Sequence, residues 1–412
     1  GDGKVYHDIA IGFLEGVPLS EINPEADRTL GYPYFVTALY AISNKSVWFV
    51  LAIQTLLNIL MVPMIYWITS RIFNSQTAGI FGSASFSLSA IPVAWASRYL
   101  FTETLFSFLV LIFLMGFIYS WRRDSIKWFL LLGLILGIAT VVRSALQFFI
   151  AIPMVIIFFQ DHKVHRKIFL AAVMALGFMV VIAPFQFRNL QEYGHYSLST
   201  TAGNMFTESA IRAKALADGT NIYDAKQNLE SQIPTVTDRE NPFELSAMRK
   251  EEGFKSLNEN LNQWLLLYLQ GLVSFVISNE KSSYLYVIFK QERPVLSNPE
   301  TDESFSQRII RNIRDIEQEH FVLPLVLAKQ LIEYIAVTIG LLILVVRKNR
   351  TMALLFVFTI LYFVLTTGMV GRAPRYRIPV LPIYAILSGG GFCLIWSWLP
   401  ASKLLGKLNK LV

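Results

Sequence analysis

Long apolar runs separated by short polar stretches dominate the chain, and their spacing is that of helices that cross a membrane. A helix rising 1.5 Å per residue needs about 20 apolar residues to traverse a bilayer. On that rule the pattern predicts spans near 47–70, 78–96, 103–120, 322–346, 351–369 and 378–398. The apolar run 128–160 is interrupted by Arg143-Ser144 and is expected to form two short helices turning at the membrane edge. A further crossing at 167–186 brings the expected number to nine.

Two polar segments stand outside this pattern. Residues 1–46 are rich in acids and turn formers, and 187–321 is too long for a structureless loop. The second segment mixes helical patterning at 245–257 and 305–318 with Pro and Asn breaks, which predicts a small, mostly helical subdomain outside the membrane. Four regions follow: 1–46, a first extracytoplasmic loop; 47–186, a helix bundle; 187–321, the subdomain; and 322–412, the last transmembrane helices.

Charge orients the chain, because Lys and Arg collect in cytoplasmic loops. Alternate connections carry Arg71; Arg122, Arg123 and Lys127; Lys163, Arg166 and Lys167; Arg347, Lys348 and Arg350; and Lys403, Lys407 and Lys410. Only Asp124 and Asp161 oppose them, so that side reads as cytoplasmic. Residues 1–46 hold six acids against three bases, and 187–321 nineteen against fourteen, so both read as external. If Leu261 to Ser278 also crossed, the bases at 347–350 would land outside, so it is expected to lie in the interface. A chain that begins inside would need one more helix before Gly1, and such a helix is expected.

Composition narrows the class. With 54% hydrophobic residues and a mean hydropathy of +0.48, the chain is an integral membrane protein. Its net charge of +7 sits in small groups beside apolar runs, which sets nucleic acid aside. The single Cys393 excludes a disulfide framework and a cysteine metal site.

Four polar groups could carry chemistry at the external edge. Asp2 and Tyr6 lie one helical turn apart, with Arg28 and Gly31-Tyr32-Pro33 beyond; the plain alternative is a solvated, helix-capping Asp. Glu103 follows Ser97-Arg98-Tyr99 at the first position of a span, where the helix dipole alone could account for it. Arg188 and Asn189 leave the membrane ahead of Ser199 to Asn204, and interface anchoring is the competing role for Arg188. Arg372, Arg375 and Arg377 gather around Tyr376 without an acid, on the side that should be poor in cations. Guanidinium forks suit phosphate oxygens, and headgroup anchoring is the alternative.

Taken in order, these groups resemble the GT-C glycosyltransferases that use polyprenyl-phosphate sugars, in particular family 39, which includes the protein O-mannosyltransferases and the aminoarabinose transferases of lipid A. Asp2 with Tyr6 is similar to the acidic motif of the first external loop, although a lone Asp followed by Gly3 replaces the usual acidic pair. Arg28 to Phe35 resembles the R-x-x-GYP-x-F element, and Arg98 with Thr102-Glu103-Thr104-Leu105 the second acidic position. Arg143 resembles an arginine common in the family. Pro184 to Asn189 followed by Ser199 to Asn204 resembles P-W-x-x-R-N and S-T-x-G-G-N, with Phe185 in place of Trp. Arg375 to Pro382 is similar to the element before the last span.

The resemblance implies an all-α GT-C fold and transfer of a sugar from a polyprenyl-phosphate donor to a lipid, glycan or protein hydroxyl, with membrane lipids as surroundings. It implies a bacterial cytoplasmic membrane with the site facing the periplasm or exterior. Because phosphate is already a good leaving group, one base suffices. Asp2 is that expected base, with inversion at the anomeric carbon, while Glu103 would position the acceptor or share a cation. Arg372, Arg375, Arg377 and Arg188 would hold the departing phosphate. Tyr6, Arg28, Tyr32, Arg98, Arg143, Asn189, Asn204 and Tyr376 are expected to line the substrate site. No cofactor is required, and a divalent cation is left open. Two rivals share parts of the pattern. A polymerase or ligase of lipid-linked glycans would differ in its donor, and a flippase for a lipid-linked anion would favour a midplane site and repeated halves.

Overall fold

The computed structural model describes residues 2–121, 123, 125–232, 241–277, 283–284, 322–347, 349–368 and 374–398. The predicted helix at 305–318 and the lysines at 403, 407 and 410 lie outside these residues. The described residues form α-helices and short 3-10 turns, with no strand among them. Three helices precede the first span: α1 (Asp2–Glu15), α2 (Leu19–Ile22) and α3 (Gly31–Ser43). The bundle continues with α4 (Val47–Phe73), α5 (Gln76–Ser87), α6 (Ala90–Arg98), α7 (Glu103–Ser120), α8 (Ile126–Val142), α9 (Ala151–Ile157) and α10 (Val164–Tyr193). Then come α11 (Thr201–Asp218), α12 (Ile222–Gln232), α13 (Pro242–Glu259) and α14 (Leu261–Ile277), followed by α15 (Val322–Val346), α16 (Arg350–Gly368) and α17 (Leu381–Trp398).

Among the described residues six helices, α4, α7, α10, α15, α16 and α17, are long and apolar enough to cross a membrane, and α5 with α6 makes a seventh if the bent pair is one span. The protein is an integral membrane protein. The expected single helix at 78–96 is two helices meeting at 52°. Pro92 explains the break, since its ring lacks an N–H and clashes with the carbonyl four residues back, which is that of Leu88. The freed Leu88 carbonyl accepts from the Tyr284 hydroxyl.

The remaining expected crossings are α8, at 17 residues, and the broken stretch 143–163. Gly133 packs against Met174 and Phe178, and Gly137 against Phe178 and Val181, so α8 and α10 run side by side in the same direction. Residues 143–163 must therefore return through the bundle between them. The close approach depends on glycine: a Cβ on Gly133 would lie 2.0 Å from the Met174 carbonyl oxygen, and one on Gly177 2.3 Å from that of Leu130.

The polar helices sit at one end of the bundle. Thr200 N–H donates to the Ala26 carbonyl at 3.1 Å, the Thr200 hydroxyl to Glu25 O at 2.7 Å and the Thr201 hydroxyl to Asp27 O at 2.8 Å. The start of α11 thus clamps the turn at 25–27, where Ala26 holds a left-handed φ of 47°. Beneath the subdomain, α14 lies against the last turns of α16, where the Tyr268 hydroxyl donates to Leu365 O, and its own last turn reaches the middle of α15, where Val276 O accepts from Tyr334. Its leucines at 261, 265, 266 and 269 stay exposed.

Candidate active site

Three helix ends and one turn bring the charged groups together. Asp2 occupies the first turn of α1, which is fixed by burial of Tyr6, Ile9 and Ala10. Glu103 begins α7, with its carboxylate at the positive end of the helix dipole and only 4% of the residue exposed. Arg143 follows α8 in extended backbone, where that helix stops. Arg375 lies in the 3-10 turn Pro374–Arg377 that leads into α17.

Asp2 is gripped on both oxygens. Its Oδ1 is 3.2 Å from Arg28 Nη2, and its Oδ2 accepts from Arg375 Nη1 at 2.9 Å. Glu103 Oε1 lies 3.1 Å from Arg143 Nη1 and 4.0 Å from Arg375 Nε. Arg375 therefore stands between the two carboxylates. Its Nη2 donates to the Tyr376 hydroxyl at 3.2 Å, and the Tyr376 ring is flanked by the Arg375 guanidinium at 5.1 Å and that of Arg143 at 5.4 Å. Arg28 lies over Tyr6 at 5.7 Å, and Tyr6 meets the edge of Tyr32 at 4.9 Å.

The electrostatics follow from this packing. Burial works to raise the Asp2 pKa, but Arg375 and then Arg28 outweigh it and hold the carboxyl below its ordinary range. Asp2 is thus ionised at neutral pH. The Tyr6 phenol is pushed up to about 12 by burial, so it stays a neutral hydrogen-bonding group. Asp27, 3.3 Å from Arg28 Nε, is raised, with burial the largest cause. No group of three or more His, Cys, Asp and Glu gathers among the described residues. Guanidiniums meet both oxygens of Asp2 and Oε1 of Glu103, while Glu103 Oε2 accepts from the Thr102 hydroxyl at 3.4 Å.

The structure thus unites Asp2, Tyr6, Arg28, Tyr32, Glu103, Arg143, Arg375 and Tyr376. Other expected residues sit elsewhere. Arg188 donates to the Asn189 side chain and pairs with Glu192 at 3.5 Å; with Asn189 it lines a cavity of about 10 Å³ behind Arg28. Asn189 Nδ2 donates to Ser197 O at 2.6 Å, which steers the chain back toward the clamp at Thr200. Asn204 accepts from Arg249 within the subdomain, and Arg98 stacks on Tyr99 at 5.4 Å. Arg377 is 1% exposed, with its guanidinium 6.0 Å from the Tyr334 ring. Arg372 lies outside the described residues. Asp27 was not anticipated, although its place beside Arg28 was a visible signal.

Residues 27–186 match the family described as dolichyl-phosphate-mannose-protein mannosyltransferase. No curated protein sequence matches the chain. Among solved structures, the chain is similar to the archaeal oligosaccharyltransferase AglB from Archaeoglobus fulgidus, in complex with an inhibitory peptide and a dolichol-phosphate. The TM-score is 0.52 at 11% identity, over 98% of this chain and 47% of that one. The likeness shows a shared fold, and this chain spans just under half the length of that relative.

Proposed function

We propose that this chain is a glycosyltransferase of the GT-C type that transfers a sugar from a polyprenyl-phosphate donor to an acceptor hydroxyl on the extracytoplasmic side of its membrane, with inversion at the anomeric carbon. The observation that carries the reading is Arg375 standing between the Asp2 and Glu103 carboxylates. One residue thus couples a carboxylate able to take a proton to a guanidinium able to hold a phosphate.

The steps follow from the residues. Asp2 is ionised and accepts the proton of the acceptor hydroxyl as that oxygen attacks the anomeric carbon. The bond from that carbon to the phosphate oxygen breaks, and the electron pair leaves with the phosphate. Arg375, anchored on Tyr376, meets the growing negative charge. As Arg375 turns toward the phosphate its hold on Asp2 weakens, and the burial of Asp2 then raises its basicity when a base is needed. Glu103, fixed by Arg143, positions the acceptor.

The family matched by residues 27–186 and the dolichol-phosphate in the archaeal relative support a lipid-phosphate donor. The positive loops at the opposite end of the bundle support a cytoplasmic placement for that end and an extracytoplasmic face for the site. Asp2→Asn keeps the shape but cannot accept a proton. Transfer from a polyprenyl-phosphate sugar is expected to fall roughly 10² to 10⁴-fold in that variant with expression unchanged. Activity within a few-fold of wild type would remove Asp2 from its role.

A further inference from the structure

Gln54 lies about two turns into the membrane-crossing helix α4, and none of its surface is exposed. A primary amide in such a place is costly unless its donors and acceptor are used. All are used, each toward a different part of the site's support. Gln54 Oε1 accepts from the Tyr32 hydroxyl at 2.6 Å, and Nε2 donates to the carbonyls of Ala96 at 3.1 Å and Tyr99 at 2.9 Å.

Ala96 is in the last turn of α6, where a helix leaves carbonyls without N–H partners of their own, and Tyr99, just beyond it, also accepts from the Phe101 N–H at 3.0 Å. Four residues after Tyr99 the chain reaches Glu103. On the other side, Tyr32 packs edge-on against Tyr6, one turn along α1 from Asp2. Gln54 therefore joins the segment that presents Glu103 to the helix that presents Asp2.

We propose that Gln54 is a positioning residue that sets the placement of the Glu103 carboxylate relative to Asp2. The proposal rests on the reading of those two carboxylates as the reacting pair. Leucine at this position would suit a membrane helix and keep most of the volume, while leaving the Ala96 carbonyl unmet, the Tyr99 carbonyl with only the Phe101 N–H at 3.0 Å, and Tyr32 without its acceptor. A role confined to packing predicts that leucine is tolerated.

A cross-link reads the placement without any substrate. A Cβ on Gly3 would lie 3.8 Å from Leu100 Cβ, the separation a disulfide prefers. In full-length protein with Cys393→Ala, the pair Gly3→Cys and Leu100→Cys is expected to oxidise readily with Gln54 present and several-fold more slowly with Gln54→Leu. An unchanged rate would overturn the proposal. Where Gln54→Leu does not accumulate, Tyr32→Phe removes one of the three bonds and keeps the ring; slowing supports the proposal and an unchanged rate overturns it.

Kinetics without the added cysteines supply a second readout. Gln54→Leu is expected to lower kcat roughly tenfold to a hundredfold with little change in KM for the lipid donor, as misplacement of a catalytic group does. Gln54→Glu is expected to recover as pH falls, because a protonated carboxyl donates to one carbonyl and still accepts from Tyr32. A kcat loss matched by loss of folded protein, with no recovery in Gln54→Glu, would overturn the proposal. Slowed cross-linking in a protein whose wild type transfers no sugar would support the positioning role and remove the transferase reading instead.

Discussion

Replacing Arg375 with lysine separates a phosphate grip from a simple cation. Arg375 uses its planar fork in three directions at once: Nη1 to Asp2 at 2.9 Å, Nη2 to the Tyr376 hydroxyl at 3.2 Å, and Nε toward Glu103 at 4.0 Å. Lysine keeps the charge but offers one compact ammonium, so it cannot hold Tyr376 and still present two prongs to an oxyanion. The side chain is 25% exposed, so its bonds are only modestly weakened by solvent. Loss of one charge-assisted bond costs about 1.5–3 kcal/mol, which at 1.4 kcal/mol per decade is a fall of roughly 10- to 100-fold. The assay is transfer from a purified polyprenyl-phosphate sugar at varied concentration, comparing wild type, Arg375→Lys and Arg375→Ala in matched detergent. A cation that only anchors lipid headgroups would work as well as lysine. Superimposable wild-type and lysine curves would therefore refute the grip.

Other outcomes follow from the same geometry. Glu103→Gln should reduce transfer about as much as Asp2→Asn, and near-normal activity would leave Glu103 as a helix-end residue paired with Arg143. The depressed Asp2 pKa means the free enzyme should stay active as pH falls to the ordinary carboxylate range, with the acid limb of kcat/KM, and the stability that the Asp2 ion pairs contribute, lost only below it. Arg375→Ala leaves burial as the largest influence on Asp2, so its residual activity should show an acid limb shifted upward; an unshifted limb would contradict the pairing. EDTA should leave transfer intact, since guanidiniums meet both Asp2 oxygens and one of Glu103, and loss restored by Mg²⁺ or Mn²⁺ would contradict that expectation. Cysteines at Ser20 and Ser231, in a Cys393→Ala background, should label equally in intact cells, and opposite accessibility would contradict the shared end of the two polar segments. Gly177→Val should sharply reduce folded protein in detergent extracts, because its Cβ would press on the Leu130 carbonyl.

Much of this arrangement was legible in the chain, and the gaps have physical causes. The apolar runs gave the helices because span length is set by the bilayer. The arginines at 375 and 377 stood out because their side contradicts the positive-inside trend. The bend at Leu88-Ser89 is masked because the serines at 83, 85, 87 and 89 alternate with apolar residues and leave the window hydrophobic, although Pro92 marks it. Glycines at 133, 137 and 177 likewise marked a close helix pair, but spacing alone does not say that two helices are parallel. Both Glu103 and Arg143 were recognised, yet their pairing spans 40 positions and appears only when α7 and α8 pack. Gln54 escaped because one amide barely lowers the mean of an apolar window. Arg188, Asn189 and Asn204 stand out by their motif; Arg188 and Asn189 line the small cavity behind Arg28, whereas Asn204 bonds Arg249 within the subdomain.

The central claim is that Asp2 and Arg375 act on a polyprenyl-phosphate sugar. Its most direct test is mass spectrometry of purified full-length protein incubated with cell-envelope acceptors and a panel of polyprenyl-phosphate sugars and lipid diphosphate oligosaccharides, following consumption of each donor and release of its lipid phosphate. Wild type should consume at least one donor and form a glycosylated acceptor in equal amount, while Asp2→Asn consumes none. Consumption only of lipid diphosphate oligosaccharides, or equal consumption by wild type and Asp2→Asn, would contradict the account.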